Sequence, residues 1–341
     1  MATASYDRAK EVKQFDDSKL GVRSLVDSDI TAIPRFFIHP PETLSDLRQP
    51  CSTIRQDQDV IPTVDLSGVD SQLLRPMIVD KVARASRKLG FFQVVNHGIG
   101  DDVLDRVIGA IKEFHEQPTE VKALLYRREI NYGVLFFSNI DLFRSKAASW
   151  RDRLTIKFDP AQLKLEEILE ICRNEVMEWN KRDHARGGDD GIAVRRIRSE
   201  ANEVEGDDFP RTEDHGGTLL PLLIIEVGCR LSTVRNGWML NKPVPGALVI
   251  NIGDLLQIMS NNEYRSVEHR VLANPSREPR ISTAVFFTPG DAESLIGPFP
   301  ELISPETPAR YRQFTYTDYM RRFFTKELDG KSLTNSYRLS D

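Results

Sequence analysis

The second half of the chain is dominated by short β-type runs separated by turn residues. From residue 217 onward the runs are TLLPLLIIEV, CRLSTVR, GALVINIGDLLQIMS, RSVEHRVLA and PRISTAVFFTPG. Several short strands at this spacing are typical of a β-sandwich or a β-barrel. The sequence therefore predicts a layered or closed β core. A helix predicted over TYTDYMRRFFTKELDG is expected to pack back on the sheet.

The first half has a different pattern and is predicted to be mainly helical. Apolar residues recur at helical spacing in SQLLRPMIVDKVARASRKLG (71–90), which stops at a glycine. DDVLDRVIGAIKEFHEQP has acidic residues in its first turn and ends at a proline, as a helix should. Further helices are predicted over SYDRAKEVKQFDDS and KLEEILEICRNEVMEWNKR, and strands over VIPTVDLS (60–67) and FFQVVNHGIG (91–100).

A charged segment over 181–212 separates the two halves. Almost half of its residues are charged, and it has paired glycines and little apolar periodicity. Such a composition buries too little apolar surface to offset the entropy lost on ordering, so we expect most of it to be mobile. The predicted organisation is an α-rich N-terminal domain over 1–180, this segment, a β core over 213–327 and a tail over 328–341.

Charge and composition exclude several classes of function. The 46 basic and 51 acidic residues are spread along the chain, with a formal net charge of −5, which is not the clustered basic surface of a nucleic-acid-binding protein. No apolar run approaches the roughly 18 residues of a membrane span. The N-terminal MATASYDRAKEVKQFDD lacks an apolar secretory core, and the three cysteines are widely spaced. We therefore expect a cytoplasmic monomer with no nucleic-acid or membrane partner.

Two histidines and nearby carboxylates form a candidate metal site. His215 lies in RTEDHGGTLLPLL, directly after Glu213 and Asp214, and His269 lies in YRSVEHRVLAN. In an extended strand Glu213 and His215 share a face, while Asp214 points the other way. Two histidines and one carboxylate are a donor set that suits Fe(II). In the alternative interpretation His215 is a solvent-facing turn residue and the site binds no metal.

Longer motifs in both halves resemble a known family. In the first half these are IPRFFIHPPE, GFFQVVNHGI, FHEQPTEVKALLYRRE and FSNIDLFRSKAASWRD, and in the second VPGALVINIGDLLQIMSNNEYRSVEHRVLAN and PRISTAVFF. They resemble plant 2-oxoglutarate/Fe(II)-dependent dioxygenases, more narrowly the 1-aminocyclopropane-1-carboxylate oxidase-like branch near the benzoxazinoid dioxygenases. The resemblance covers about 10–180 and 217–327. It implies an α+β protein with a double-stranded β-helix (jelly-roll) core, an α-helical N-terminal region and a C-terminal helix.

The resemblance also implies cofactors and site residues. The family binds Fe(II) through a His-x-Asp pair and a distal histidine, and holds the 2-oxoglutarate co-substrate with an Arg-x-Ser pair. His269 matches the distal histidine, and Arg280 and Ser282 match the Arg-x-Ser pair, whose side chains can meet one carboxylate from the same strand face. Aligned without gaps, the His-x-Asp pair falls on Glu213 and His215 with the two roles exchanged. The expected metal ligands are therefore His269, His215 and Glu213.

The implied function is that of an oxidoreductase. We expect 2-oxoglutarate- and Fe(II)-dependent oxidation, through hydroxylation, of a small specialised metabolite, with Phe286, Phe287 and YMRRFF near the substrate. The alternative is a catalytically impaired or inactive relative that binds a small molecule without turnover. Pro221 lies inside the predicted strand TLLPLLIIEV, where it would remove a ladder hydrogen bond, and this favours that alternative. The lack of any tyrosine between Tyr132 and Tyr264 to help hold 2-oxoglutarate favours it as well.

Overall fold

The protein is described by a computed structural model. It describes residues 6–40, 61–129, 132–140, 142–158, 163–188, 222–226, 244–267, 269, 278–286, 289, 291–325 and 332–339, with backbone alone at 181–188, 222–226 and 332. Glu213 and His215, the rest of the charged segment beyond Gly188, and the predicted strand CRLSTVR lie outside these residues.

The described elements alternate between helices and short strands. The strands are β1 (Thr63–Asp65), β2 (Phe91–Val95), β3 (Val134–Phe137), β4 (Arg153–Ile156), β5 (Leu222–Glu226), β6 (Leu248–Asn251), β7 (Ser282–Val285), β8 (Leu295–Ile296) and β9 (Phe314–Thr315). The α-helices are α1 (Arg8–Ser18), α2 (Gly21–Asp27), α3 (Arg75–Lys88), α4 (Asp101–His115), α5 (Thr119–Ala123), α6 (Glu170–Gly188), α7 (Asp254–Met259), α8 (Tyr316–Thr325) and α9 (Ser332–Asn335). Short 3-10 helices cover Arg35–Phe37, Leu165–Glu167 and Pro300–Leu302. None of the helices described here combines the length and apolarity that a membrane crossing requires.

The chain divides into two compact units. Unit 1 consists of Met1–Gln49 and Asp105–Lys181, and unit 2 of Pro50–Leu104 and Arg182–Asp341. Strands β1 and β2, from the first third of the chain, therefore belong to the same unit as β5, β6 and β7. The boundaries predicted from the sequence, at 180, 212 and 327, stay predictions.

Unit 1 is built around two apolar clusters and a two-stranded sheet. Strand β3 pairs antiparallel with β4, and the completely buried Phe136 lies in one cluster with Phe114 and Cys172. The second cluster joins α1 to the 3-10 helix at Arg35–Phe37 through three phenylalanines in mutual contact, Phe15, Phe36 and Phe37. The predicted helical character of this part of the chain follows from these amphipathic segments.

The main sheet of unit 2 has five strands in the order β1-β2-β6-β5-β7. The β1–β2 pair is parallel, and each other pair is antiparallel. β2 and β6 are almost continuous apolar runs, FFQVV and LVIN, and β6 is buried along its whole length. Such runs are typical of strands that are covered on both faces. Strands predicted within 60–67, 91–100, 218–227 and 279–290 are present in this sheet.

One expectation for the region after β6 is wrong. GALVINIGDLLQIMS is not one β-type run, because β6 ends at Asn251 and α7 begins at Asp254. Asp254 is a favourable first-turn residue, and Ile258 and Met259 on α7 pack into an apolar cluster. Of the predicted strand RSVEHRVLA (265–273), residues 265–267 and 269 are described and lie in no strand, and the others lie outside the described residues.

The end of the chain packs into an aromatic cluster in unit 2. Tyr337 is completely buried and its hydroxyl donates a hydrogen bond to Asp318 on α8 at 3.1 Å. Its ring stacks on Phe314 with 3.8 Å between centroids, and Arg312 and Arg322 lie over the ring. Residues 332–339 of the predicted tail thus hold α8 against the rest of unit 2.

Replacing Tyr337 should show how much this cluster stabilises the fold. Tyr337→Ala removes a fully buried ring, so we expect the free energy of unfolding to fall by about 3–5 kcal/mol. Tyr337→Phe keeps the ring and loses the Asp318 hydrogen bond, for a loss of about 1 kcal/mol. Urea unfolding measures both, with the exposed Leu339→Ala as control. Equal losses for the two Tyr337 variants would contradict the stacking argument.

His115 should make the stability of unit 1 depend on pH. Burial lowers the pKa of His115 from 6.5 to about 4, against a smaller opposing effect of Asp152. The unfolded chain therefore binds more protons than the folded protein between these values. Stability that is present above about 6.5 is expected to be lost progressively as the pH falls towards about 4.

Urea titrations at a series of pH values across that window check this expectation. His115→Gln should flatten the pH dependence, while the exposed His39→Gln should leave it as in the original chain. An unchanged slope in His115→Gln would show that another group is responsible.

Candidate active site

The site is organised by one face of the five-stranded sheet. Residues that are directly paired in neighbouring strands have side chains on the same face, and the faces alternate along each strand. Phe91 pairs with Asn251, and Asn251 pairs with Leu222. Two steps along from Asn251, Val249 is on the same face and packs with Phe91 in one buried cluster. We call this side of the sheet the Asn251 face.

His269 lies against the Asn251 face. Its ring meets the ring of Phe91 edge-on, with 5.3 Å between centroids. Its Nδ1 is 3.2 Å from the backbone oxygen of Val267 and 3.5 Å from the side-chain amide nitrogen of Asn251. The imidazole itself is exposed to solvent. The strand pairing and the apolar contact therefore hold one edge of the ring and leave the other edge open.

The contact with Val267 favours one tautomer of His269. A carbonyl oxygen can only accept a hydrogen bond, so this contact is a hydrogen bond only when Nδ1 carries the proton and donates it. The neutral ring then has its lone pair on Nε2, the state in which histidine binds a metal. Metal-binding histidines commonly donate the other ring N–H to a backbone carbonyl or carboxylate in this way.

The segment that leads to His269 is held by three hydrogen bonds within unit 2. The Arg265 amide donates to the Ser86 carbonyl of α3 at 3.2 Å. The Ser266 amide donates to the Gln257 side chain at 2.8 Å, and the Ser266 hydroxyl donates to Asp254 at 2.5 Å. α3 and α7 therefore position residues 265–267 and, through them, His269.

Gly90 allows this segment to approach the sheet. It has a φ of +65°, and a Cβ atom there would lie 2.0 Å from the backbone oxygen of Arg265. Any side chain would also be strained at this positive φ. The helix-ending glycine predicted from the sequence is thus needed for a close approach of two backbones.

Arg280 and Ser282 belong to the other edge of the sheet. Ser282 begins β7 and pairs with position 226 of β5, four residues along from position 222, which pairs with Asn251, so the register puts Ser282 on the Asn251 face. Arg280 is half-buried and precedes Ser282 by two residues, the spacing of same-face side chains in extended chain. The four positions correspond to roughly 13 Å along the sheet. Ser282 therefore shares the face of Asn251 without lying beside it.

Of the three predicted metal ligands, the structure describes His269 alone. Among the described residues there is no group of three or more His, Cys, Asp or Glu side chains that could hold a metal ion. His269 presents an exposed ring with a basic Nε2, which fits an iron ligand. The other two predicted ligands, Glu213 and His215, lie outside the described residues.

Asn251 is a polar residue of this site that sequence reasoning missed. It is 3% exposed, and its amide Oδ1 is buried with no hydrogen-bond partner within the part of the chain that the structure describes. The signal in the sequence was one amide at the end of the apolar run ALVIN. Its position next to His269, 18 residues later in the chain, follows from the fold alone.

The other histidines have structural contacts. His97 Nε2 lies 2.8 Å from the Gly246 carbonyl, and its Nδ1 accepts the Ile99 amide, so this ring closes the turn after β2. The His115 carbonyl accepts a hydrogen bond from the ammonium group of the buried Lys122 at 2.7 Å, and the His115 ring packs edge-on against Phe114. Both rings therefore have structural contacts in the described fold.

Comparison with known families identifies the chain. Residues 61–174 match a family described as the N-terminal region of non-haem dioxygenases in morphine synthesis, and 208–289 match the 2OG-Fe(II) oxygenase superfamily. 1-Aminocyclopropane-1-carboxylate oxidase homolog 3 of Arabidopsis thaliana is 36% identical over 361 residues, covering 98% of each chain. The chain belongs to the plant 2-oxoglutarate/Fe(II) oxygenase family.

Further relatives agree with this assignment. Deacetoxyvindoline 4-hydroxylase of Catharanthus roseus is 36% identical over 377 residues, covering 100% of this chain and 92% of that protein. Among solved structures, JOX2 in complex with 2OG, Fe and JA aligns over 94% of this chain and 98% of its own with a TM-score of 0.70. A rice dioxygenase for auxin oxidation aligns over 82% and 100% with a TM-score of 0.59. At 24% and 22% identity these two structures show the fold alone.

Family membership confirms several predictions made from the sequence. The fold is the α+β jelly-roll architecture of these oxygenases, and the protein is a 2-oxoglutarate/Fe(II)-dependent dioxygenase. It oxidises a small metabolite, with Fe(II) as its metal and 2-oxoglutarate as its co-substrate. The comparisons offer no support for an inactive relative.

Two glycine-to-alanine changes should have opposite effects. Gly90→Ala adds a Cβ at positive φ and against the Arg265 carbonyl. We therefore expect the free energy of unfolding to fall by more than the roughly 1–2 kcal/mol that the left-handed conformation alone costs. It should also displace residues 265–269 and weaken metal binding.

Gly109→Ala is the matched control, because a Cβ at Gly109 in α4 meets no atom within 4 Å. Replacing a helical glycine by alanine in open space should raise the free energy of unfolding by about 0.5–1 kcal/mol. Thermal unfolding and metal titration of both variants check the pair. Gly90→Ala with unchanged stability and metal affinity would contradict the close approach described here.

Proposed function

We propose that His269, His215 and Glu213 bind the Fe(II) of this enzyme, and that Arg280 and Ser282 hold the far carboxylate of 2-oxoglutarate. The enzyme would use this site to hydroxylate a small specialised metabolite. The observation that supports this most directly is the orientation of His269, whose Nδ1–H is committed to the Val267 carbonyl and whose Nε2 is left with its lone pair.

The proposed roles of Arg280 and Ser282 follow from charge and spacing. A guanidinium can form two parallel hydrogen bonds with a carboxylate, and a serine hydroxyl two residues away can donate a third. Ser282 shares a sheet face with Asn251 but lies at a different level from it, and Arg280 precedes Ser282 by two residues. That separation suits a co-substrate with one end at the metal and a carboxylate at the other.

Hydroxylation is supported by a relative and by the chemistry of the family. The Catharanthus roseus relative is named a 4-hydroxylase. When bound, the iron supplies the oxidation chemistry, and the protein must exclude water and hold the substrate nearby. Phe286, two positions after Ala284 on the Asn251 face and 57% exposed, is an apolar side chain available for such a substrate. We propose further that the enzyme acts as a cytoplasmic monomer.

The iron assignment can be tested with His269→Ala. Without oxygen, Fe(II) and 2-oxoglutarate together should give the weak visible charge-transfer band of this family in the original chain. We expect His269→Ala to lose that band and the formation of succinate, because one metal ligand is gone. The exposed His39→Ala is the control and should retain both.

A second variant separates the metal from the co-substrate. Arg280→Ala should still bind a divalent metal but require a much higher 2-oxoglutarate concentration, because one charge-assisted bidentate contact is lost.

His215→Ala tests the exchanged ligand pair, since unchanged metal affinity there would exclude His215 as a ligand. A charge-transfer band that survives in His269→Ala would overturn the proposed iron site.

A further inference from the structure

We infer that Asn251 is a positioning residue for His269, a role that rests on the proposed iron site. Its side-chain amide lies 3.5 Å from Nδ1 of His269, at the position directly paired with Phe91 across β2 and β6. Asn251 does not need to touch the metal or the co-substrate. It acts on the reaction by fixing the tautomer and the rotation of the His269 ring, which is the proposed metal ligand.

The environment of Asn251 makes an amide costly unless it has a specific partner. The residue is 3% exposed and ends a strand whose other residues are leucine, valine and isoleucine. Its Oδ1 has no hydrogen-bond partner among the residues that the structure describes. A buried polar atom left in this state costs about 1–3 kcal/mol, which a leucine at the same position would avoid.

The hydrogen bonds of His269 determine which way the amide must face. Nδ1 donates its proton to the Val267 carbonyl, so it cannot also accept one from Asn251. The oxygen and nitrogen of a side-chain amide are interchangeable by a half-turn of the group. With the oxygen turned towards His269, Nδ1–H is shared between two acceptors, Val267 and Asn251. Asn251 Oδ1, which otherwise has no partner among the described residues, then accepts a hydrogen bond from His269.

Two acceptors hold the ring better than one. The Val267 carbonyl lies two residues before His269 in the chain, so it moves with the ring and restrains the ring less than a residue of the sheet does. Asn251 belongs to the central sheet and ties the ring to a rigid strand. The edge contact with Phe91, from the neighbouring strand, limits the remaining rotation. Changing such an outer partner of a metal-binding histidine typically costs about 10–100-fold in metal affinity.

The experiment uses the full chain and Co(II), whose visible absorption reports binding without turnover. Asn251→Leu keeps the volume and removes the acceptor, so we expect the Co(II) dissociation constant to rise by about 10–100-fold. Asn251→Asp keeps an acceptor for Nδ1–H and should bind Co(II) within about threefold of the original chain, since carboxylates occupy this role elsewhere.

Gln93→Leu is the matched control. Gln93 is also a buried amide on the Asn251 face, two positions from Phe91, and its side chain accepts the Val244 amide at 3.0 Å. Its loss should lower the melting temperature and leave Co(II) affinity unchanged.

Nitrogen-15 NMR of the metal-free protein supplies a readout that packing would not move. His269 should show the Nδ1–H tautomer in the original chain and a mixture in Asn251→Leu.

Each outcome decides one question. Co(II) binding that survives in Asn251→Leu, or is lost equally in Asn251→Asp or Gln93→Leu, would overturn the positioning role. An Nε2–H tautomer in the original chain would overturn it even if Asn251→Leu fails to fold. Unchanged Co(II) binding in His269→Ala would instead refute the iron site. Loss in His269→Ala with no change in Asn251→Leu would refute the positioning role and leave the iron site standing.

Discussion

The antiparallel pairing of β2 with β6 is the contact on which most of unit 2 depends. It joins two parts of the chain that are far apart in sequence and places Phe91 beside Asn251. Both ends of the pairing are secured by further hydrogen bonds. The Ile252 amide donates to the Gly90 carbonyl at 2.9 Å, and the Val244 amide donates to the Gln93 side chain at 3.0 Å. The pairing therefore fixes where the chain leaves the sheet after β6 and where it can return.

The return of the chain is what creates the site. After α7 the backbone passes Gly90 closely enough that only a glycine is accommodated, and then reaches Phe91 and Asn251 with His269. A strand residue from early in the chain, an amide from β6 and a histidine from an irregular segment thus meet at one point. The site depends on backbone geometry at least as much as on the identity of the ligands.

These origins explain what could be predicted from the sequence. Helices α3, α4 and α8 have clear apolar periodicity, and His269, Arg280 and Ser282 lie in motifs long enough to be assigned by resemblance. The short helix α7 was read as a strand, because a brief apolar run does not distinguish the two. Asn251 was overlooked because its significance comes from a neighbour 18 residues away, brought close by pairing and not by any local pattern.

A half-buried carboxylate in unit 1 shows by contrast why Asn251 suggests function. Asp152 accepts hydrogen bonds from the amides of Val22 and Arg23 and from the Ser138 hydroxyl at 2.7–2.9 Å. Its carboxylate is therefore well satisfied, and its role is to hold the start of α2. Asn251 has no such set of partners in the described part of the chain. A buried polar atom with no partner among the described residues indicates a requirement other than stability.

The exchanged order of Glu213 and His215 has a physical consequence under the proposed assignment. The donor types of the family are kept, but a longer imidazole stands where the shorter aspartate is expected and a flexible carboxylate where the imidazole is expected. His269 is held by Val267, Phe91 and the sheet, so its Nε2 has little freedom to follow a displaced metal. Metal–ligand distances tolerate only about ±0.2 Å. The adjustment must therefore come from Glu213 and His215, which makes the rigidity around His269 the feature that fixes where the iron is bound.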